Sequence, residues 1–403
     1  MQKLAFQPGI NREGTRYSAE GGWFDCDKIR FRQGLPEKIG GWTKASTNTY
    51  DGTARRLHDF VSLASLDLLF IGTEKKIYIE DSGTFSNITP LRVTRTLGSN
   101  PITSSDTTGT ITVTDSAGHG AIIGDYVTFS GATAVGGVTA AQINTEHAIV
   151  STPTSNTFTV LTAGTASSTA TGGGASVVAA YQISVGLNTS VLGSGWGAGT
   201  WGRFTWGSSA GALAGNTLRL WFADNFGEDI ICNIADGTIY YWDTSAGVGT
   251  RAVALTSLAG ASDVPTVCRK VLVSEADRHV LAFGANTLGS ADQDPLLIRW
   301  SDQESAVDWT PTAINTAGDM RLSQGSEIIT AVRTRRETLV WTDHTLHSIQ
   351  FIGPPYTFGT ALLADNTKIA GPNTAMAIND LVYWMGYQNF YVYDGRVNVL
   401  PCS

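Results

Sequence analysis

The sequence predicts an all-β protein whose body repeats one antiparallel unit and is interrupted by a smaller β segment. Paired apolar and aromatic runs recur along the chain, each pair joined by turn residues. Gly accounts for 45 of 403 residues, and only 15% are charged, against ~25% in a typical soluble domain. One long stretch, by contrast, almost loses its aromatic residues.

The hairpins come first. Glu228–Asp243 reads EDIICNIADGTIYYWD, two strand-like runs around Asp236-Gly237. A two-residue Asp-Gly loop predicts a type I′ turn, whose twist matches that of the paired strands. Tyr391–Leu400, YVYDGRVNVL, predicts the same turn at Asp394-Gly395. Leu68–Asp81 turns through Gly72-Thr73-Glu74-Lys75, Thr338–Ile352 at Thr342-Asp343-His344, and the run from Leu381 near Gly386-Tyr387. His279–Gly284 pairs with Leu296–Trp300.

Taken from Asp229, His279, Thr338 and Leu381, these units step by roughly 40–60 residues, close to the repeat of propeller blades. A blade hides its faces against its neighbours, so aromatic strands buried on both sides fit a ring of blades. An irregular sandwich with similar hairpin spacing is the alternative. The predicted organisation is an N-terminal segment with the first propeller strands (1–96), an inserted small β-barrel or sandwich (97–185) and the remaining blades (186–403). The insert is rich in Ser, Thr, Ala and Gly, with alternating strands at Thr110–Thr114, Tyr126–Phe129, His147–Val150 and Thr157–Val160. Gly172-Gly173-Gly174 reads as its flexible exit.

Composition excludes several classes. No apolar run approaches the ~18 residues of a membrane helix, and the first residues lack the apolar stretch of a secretory signal. A net charge of −8 argues against broad nucleic-acid binding. Cys26, Cys232, Cys268 and Cys402 match no zinc or CxxC spacing and read as thiols in a reducing cytoplasm.

Few motifs suggest chemistry. Gly197–Gly202 satisfies GxGxxG and Gly207–Gly211 satisfies GxSxG, but neither has the strand-turn-helix setting those motifs require. His344 and His347 lie three apart in a turn and strand, where i/i+3 residues do not converge on a metal. The chain therefore reads as a non-enzyme without cofactor or metal. Other features suit contact surfaces. Trp196, Trp201 and Trp206 recur every five residues on a Gly-rich loop that includes Arg203. Arg333, Arg335 and Arg336 cluster before a strand, and Arg55 with Arg56 forms a smaller group. Arginine suits forked contacts to carboxylates or phosphates.

The opening, Phe6–Tyr17 with Arg12 and Arg16, then GGWFDCDKIRFR at Gly21–Arg32 and PEKIGGW at Pro36–Trp42, resembles that of the tail nozzle or hub (tail tubular protein B-like) family of short-tailed bacteriophages. Gly195–Trp206 and Ile298–Pro311 are similar to blocks in the same proteins, as are Leu339–Tyr356, Ile369–Pro372 and Leu381–Asp394. The resemblance implies a virion tail subunit assembled in the host cytoplasm as a homohexameric ring. Such a ring would meet the portal-adaptor ring and fibre, spike or needle proteins, and double-stranded DNA would pass through it without specific binding. It makes Trp196, Trp201, Arg203, Trp206, Arg12 and Arg16 interface candidates, and Arg333, Arg335 and Arg336 charged contacts. An acidic wall would let DNA slide. A carbohydrate-binding propeller adhesin is the alternative function, since exposed Trp and Tyr stack on sugars.

Overall fold

The computed structural model describes residues 7–12, 14–18, 20–44, 46–190 and 218–400. Residues 1–48 and 49–403 form two compact units. Among the described residues the smaller unit holds one hairpin, Ile29–Arg32 with Leu35–Lys38. Gln33 and Gly34 both take positive φ there, at 51° and 80°, as a type I′ turn requires.

The larger unit is a five-bladed β-propeller with an inserted β-domain. Each blade is a four-stranded antiparallel meander in sequence order. Blade 1 comprises Ala54–Val61, Asp67–Thr73, Ile77–Asp81 and Thr84–Asn87. Blade 2 comprises Trp221–Phe226, Asp229–Ile234, Ile239–Trp242 and Val253–Ala254. Blade 3 comprises Lys270–Ser274, His279–Phe283, Leu297–Trp300 and Gly318–Arg321. Blade 4 comprises Ile328–Arg333, Thr338–Thr342, Thr345–Gly353 and Thr357–Asp365. Blade 5 comprises Ala375–Ile378, Leu381–Met385, Phe390–Tyr393 and Val397–Leu400. The strands that set the sequence period, from Asp229, His279, Thr338 and Leu381, are each the second of their blade.

Neighbouring blades meet through buried apolar layers. Phe70, Ile79, Trp221 and Trp242 join blades 1 and 2, although the insert separates them in sequence. Val271, Val280, Ile231 and Ile239 join blades 2 and 3, and Phe283, Trp300, Val340 and Phe358 join blades 3 and 4. Trp341 and Trp384 meet edge to face at 5.4 Å between blades 4 and 5. Edge-to-face contact adds to area burial for such rings. The Trp221 indole also donates to the Thr73 carbonyl at 2.8 Å. Gly72 makes that approach possible, because a Cβ there would lie 2.8 Å from the Trp221 side chain.

Two predicted turns differ in detail. At Asp236-Gly237 only Asp236 has positive φ, and Gly237 N–H closes a turn on the Ile234 carbonyl. Gly237 is drawn instead into a bridge with Cys268, at the start of the next blade. At Asp394-Gly395 the loop has three residues, since Tyr393 pairs with Val397. Cys26, Cys232 and Cys268 are free thiols.

The insert is an eight-stranded antiparallel sheet around a core that includes Ile111, Val127, Phe129, Phe158 and Tyr181. It begins at Leu91–Thr96, which pairs with Val178–Gln182; the sequence reading leaves this strand with the first blade. The polar residues of its Leu-Arg-Val-Thr-Arg-Thr alternation hide its place in the second sheet. The glycines at 172–174 are not the exit. Thr171-Gly172 pairs with Ile102 and Thr103, and a Cβ on Gly173 would press on Ile102 at 3.2 Å. Gly173 and Gly174 also take positive φ, at 105° and 87°, a backbone region that favours glycine. The chain leaves after Gln182, where Asp125 accepts from Ser184 Oγ at 3.0 Å and Val185 N–H at 2.8 Å.

A charged knot fixes the insert to the propeller. Lys76 of blade 1 is buried, with Nζ 2.7 Å from Asp51 and bonded to Glu146 of the insert. Its ammonium also stands 3.7 Å from the centre of the Tyr126 ring. Glu146 further accepts from Asn87 and Gln182, and faces Arg251 of blade 2. Breaking a buried ion pair from one side strands the remaining charge. Glu146→Ala is expected to cost about 2 kcal/mol of stability, after allowance for partial exposure. Denaturant unfolding with an unchanged midpoint would rule this role out.

Candidate functional site

The first strands of all five blades surround one cavity of about 500 Å³ on the propeller axis. Side chains alternate along a strand, so each first strand sends some residues into a blade interface and others into the channel. Arg55, Arg56 and His58 enter from blade 1, Asp224 from blade 2, Lys270 from blade 3 and Arg333 from blade 4. Blade 5 contributes Ala375, Met376 and Ala377.

These groups tie the blades together. Asp224 accepts from Arg333 at 3.1 Å and from the Val273 N–H at 2.9 Å, spanning blades 2, 3 and 4. Arg333 also pairs with Glu275 at 2.7 Å. Arg56 donates to the Ala223 carbonyl at 3.0 Å. Lys270 Nζ donates to Thr330 Oγ1 at 3.0 Å and lies 5.0 Å from the centre of the Phe222 ring. Burial, aided by nearby Arg56 and opposed by Asp224, lowers the Lys270 pKa to about 7. Burial also lowers the Arg56 pKa, again against Asp224.

A second cavity, of about 600 Å³, adjoins the channel at Arg333 and is lined by Glu275, Asp277, Arg335, Arg336 and Glu337. The predicted arginine cluster thus shares one cavity, but its members differ. Arg333 is committed to two carboxylates, whereas Arg335 and Arg336 are exposed. Glu337 accepts from Ser348, Tyr393 and Gln350. Burial alone would raise its pKa, but these hydrogen bonds hold it below the ordinary value. A glycosidase-type general acid needs the opposite shift.

The remaining candidates fall elsewhere. Arg12 pairs with Asp25 at 2.6 Å, and the guanidinium groups of Arg12 and Arg16 lie over Phe24. Trp196, Trp201, Arg203, Trp206 and the two glycine motifs lie outside the described residues. His344 pairs with Asp343 at 2.7 Å in its turn. His347 is buried on its strand, against Thr345. Among the described residues no cluster of His, Cys, Asp and Glu could hold a metal ion.

Sequence reasoning noticed Arg55 and Arg56 but missed Lys270 and Asp224. The missed signal is a charged residue in the strand preceding the recognised hairpins of blades 2 and 3.

No family model matches the sequence, and no curated protein matches it. Among solved structures, the chain is similar to the phage phi92 endosialidase, at 12% identity and a TM-score of 0.25 over 87% of this chain. It is also similar to Hsv2 from Kluyvelomyces marxianus, at 7% identity and a TM-score of 0.26 over 45% of this chain. The chain spans 55% and 47% of these two structures. At these scores neither likeness bears on what the chain does. No helix among the described residues is long and apolar enough to cross a membrane.

With the Lys270 pKa near 7 in the folded chain against 10.5 unfolded, the unfolded state binds more protons between those values. Stability should therefore rise with pH across that window. Lys270→Met is expected to stabilise the protein below pH 7 and to flatten the rise. Parallel stability–pH curves for the two proteins would contradict the burial of this ammonium.

Proposed function

We propose that the chain is a non-catalytic structural subunit of a short-tailed phage tail, of the nozzle or hub type, that works by binding copies of itself. One observation carries this reading. Buried apolar layers join each consecutive pair of blades from 1 to 5, but among the described residues none joins blade 5 back to blade 1. The face of blade 5 turned away from blade 4 is left bare, with Ile378 49% exposed, Phe390 47% and Met385 40%. Val61 stands exposed on blade 1. Contiguous apolar faces of this kind mark association surfaces.

The two bare faces differ, so contact through them is head-to-tail and yields a ring when the rotation closes. The resemblance of the N-terminal and blade motifs to nozzle proteins supports a ring of six beneath a portal-adaptor ring. The channel inside one propeller is small and cationic, unlike the acidic wall expected of a DNA conduit, so a conduit would run between copies. The insert, fixed by Glu146, would serve as a platform for adaptor or fibre proteins.

The mass in solution tests this. The wild-type chain is expected to form a closed multimer that binds portal-adaptor rings. Ile378→Lys combined with Phe390→Lys should give a folded monomer. A wild-type chain that stays monomeric at every concentration and ignores those rings would overturn the reading.

A further inference from the structure

We propose that the axial channel is a binding site for a compact oxyanion, a phosphate or carboxylate group held between Arg56 of blade 1 and Lys270 of blade 3. The inference is independent of the assembly reading. A charge imbalance around one open axial cavity carries it. Arg55, Arg56, Lys270 and Arg333 line the channel with a single carboxylate, Asp224; Arg55 donates to Asn188 and Arg333 also pairs with Glu275, which leaves Arg56 and Lys270 as the cations without a paired carboxylate. That carboxylate is already engaged by Arg333 and by the Val273 and Asn225 N–H groups.

The contrast with Lys76 is instructive. Where this chain buries a lysine for structure, it supplies carboxylates, here Asp51 and Glu146. Arg269 is likewise matched by Asp236 and Glu327. Lys270 has only the Thr330 hydroxyl and the Phe222 ring among its described polar and ring contacts. The buried Nε atoms of Arg55 and Arg56 have no hydrogen-bond partner among the described residues. Unmade hydrogen bonds of buried charged groups are costly, and the chain as a whole is acidic at −8, so the local cation excess is not a general property of its surface. An oxyanion would accept from the free guanidinium edge and the ammonium together. Charge-assisted bonds of this type are stronger than neutral ones.

The test is calorimetric titration of the full chain with inorganic phosphate and, separately, malonate, at constant ionic strength set by chloride. Saturable binding of either is expected, and the arm that binds identifies the group. Lys270→Met and Arg56→Gln should each weaken it about tenfold or more, while Arg396→Gln, on an exposed blade 5 loop, should leave it unchanged. Circular dichroism identifies any variant that fails to fold, in which case the other channel variant decides. No saturable binding of either anion by the wild-type chain would overturn the proposal. Binding that survives both channel variants, or is lost with Arg396→Gln, would overturn its location.

Discussion

A sheet that is apolar on both faces must be covered on both sides. This constraint sets the order of the molecule. Trp221, Trp242, Trp341 and Trp384 are buried between sheets, where no isolated hairpin could shield them. Stacking solves the problem for blades 2, 3 and 4, each of which has a neighbour on either side. It leaves blade 1 and blade 5 with one bare face each among the described residues. The same physics that builds the propeller therefore motivates the proposed association of copies through these faces.

The centre obeys a different rule. Where blades converge, backbone crowding leaves room for long side chains that reach across the axis. Arg333 spans to Asp224 of blade 2 and Glu275 of blade 3, so cross-blade ion pairs stand in for apolar packing there. Cations outnumber acids, which makes the axis a place for an anion. The insert follows a third pattern. Its own core is continuous, and its attachment is polar, through Glu146 and Asp125. A self-contained core with a polar attachment explains how the insert interrupts the propeller without disturbing the contact between Phe70 and Trp221.

Much of the body was legible in the sequence because aromatic, β-branched runs with turn residues between them leave few alternatives. His279–Phe283 is buried at every position, and such strands announce themselves. The first strand of each blade was not legible. Strands such as Ala54–Val61 carry arginines and histidine beside apolar residues, and polarity in a channel looks the same in sequence as polarity at the surface. The glycines at 172–174 misled for a related reason, since a positive φ, close packing and flexibility all select glycine. The turn at Asp236-Gly237 followed its tertiary bridge to Cys268 and not its local preference. Site residues were the least legible part, because the channel joins Arg56, Asp224, Lys270 and Arg333 from four separate repeats.

Methionine footprinting tests most directly whether the bare face of blade 5 is a contact between copies. Met385 stands on that face, 40% exposed, whereas Met320 packs within the body. Oxidation of Met385 should slow as protein concentration rises through assembly, with Met320 unchanged. Equal oxidation of Met385 at all concentrations would show that no copy covers the face.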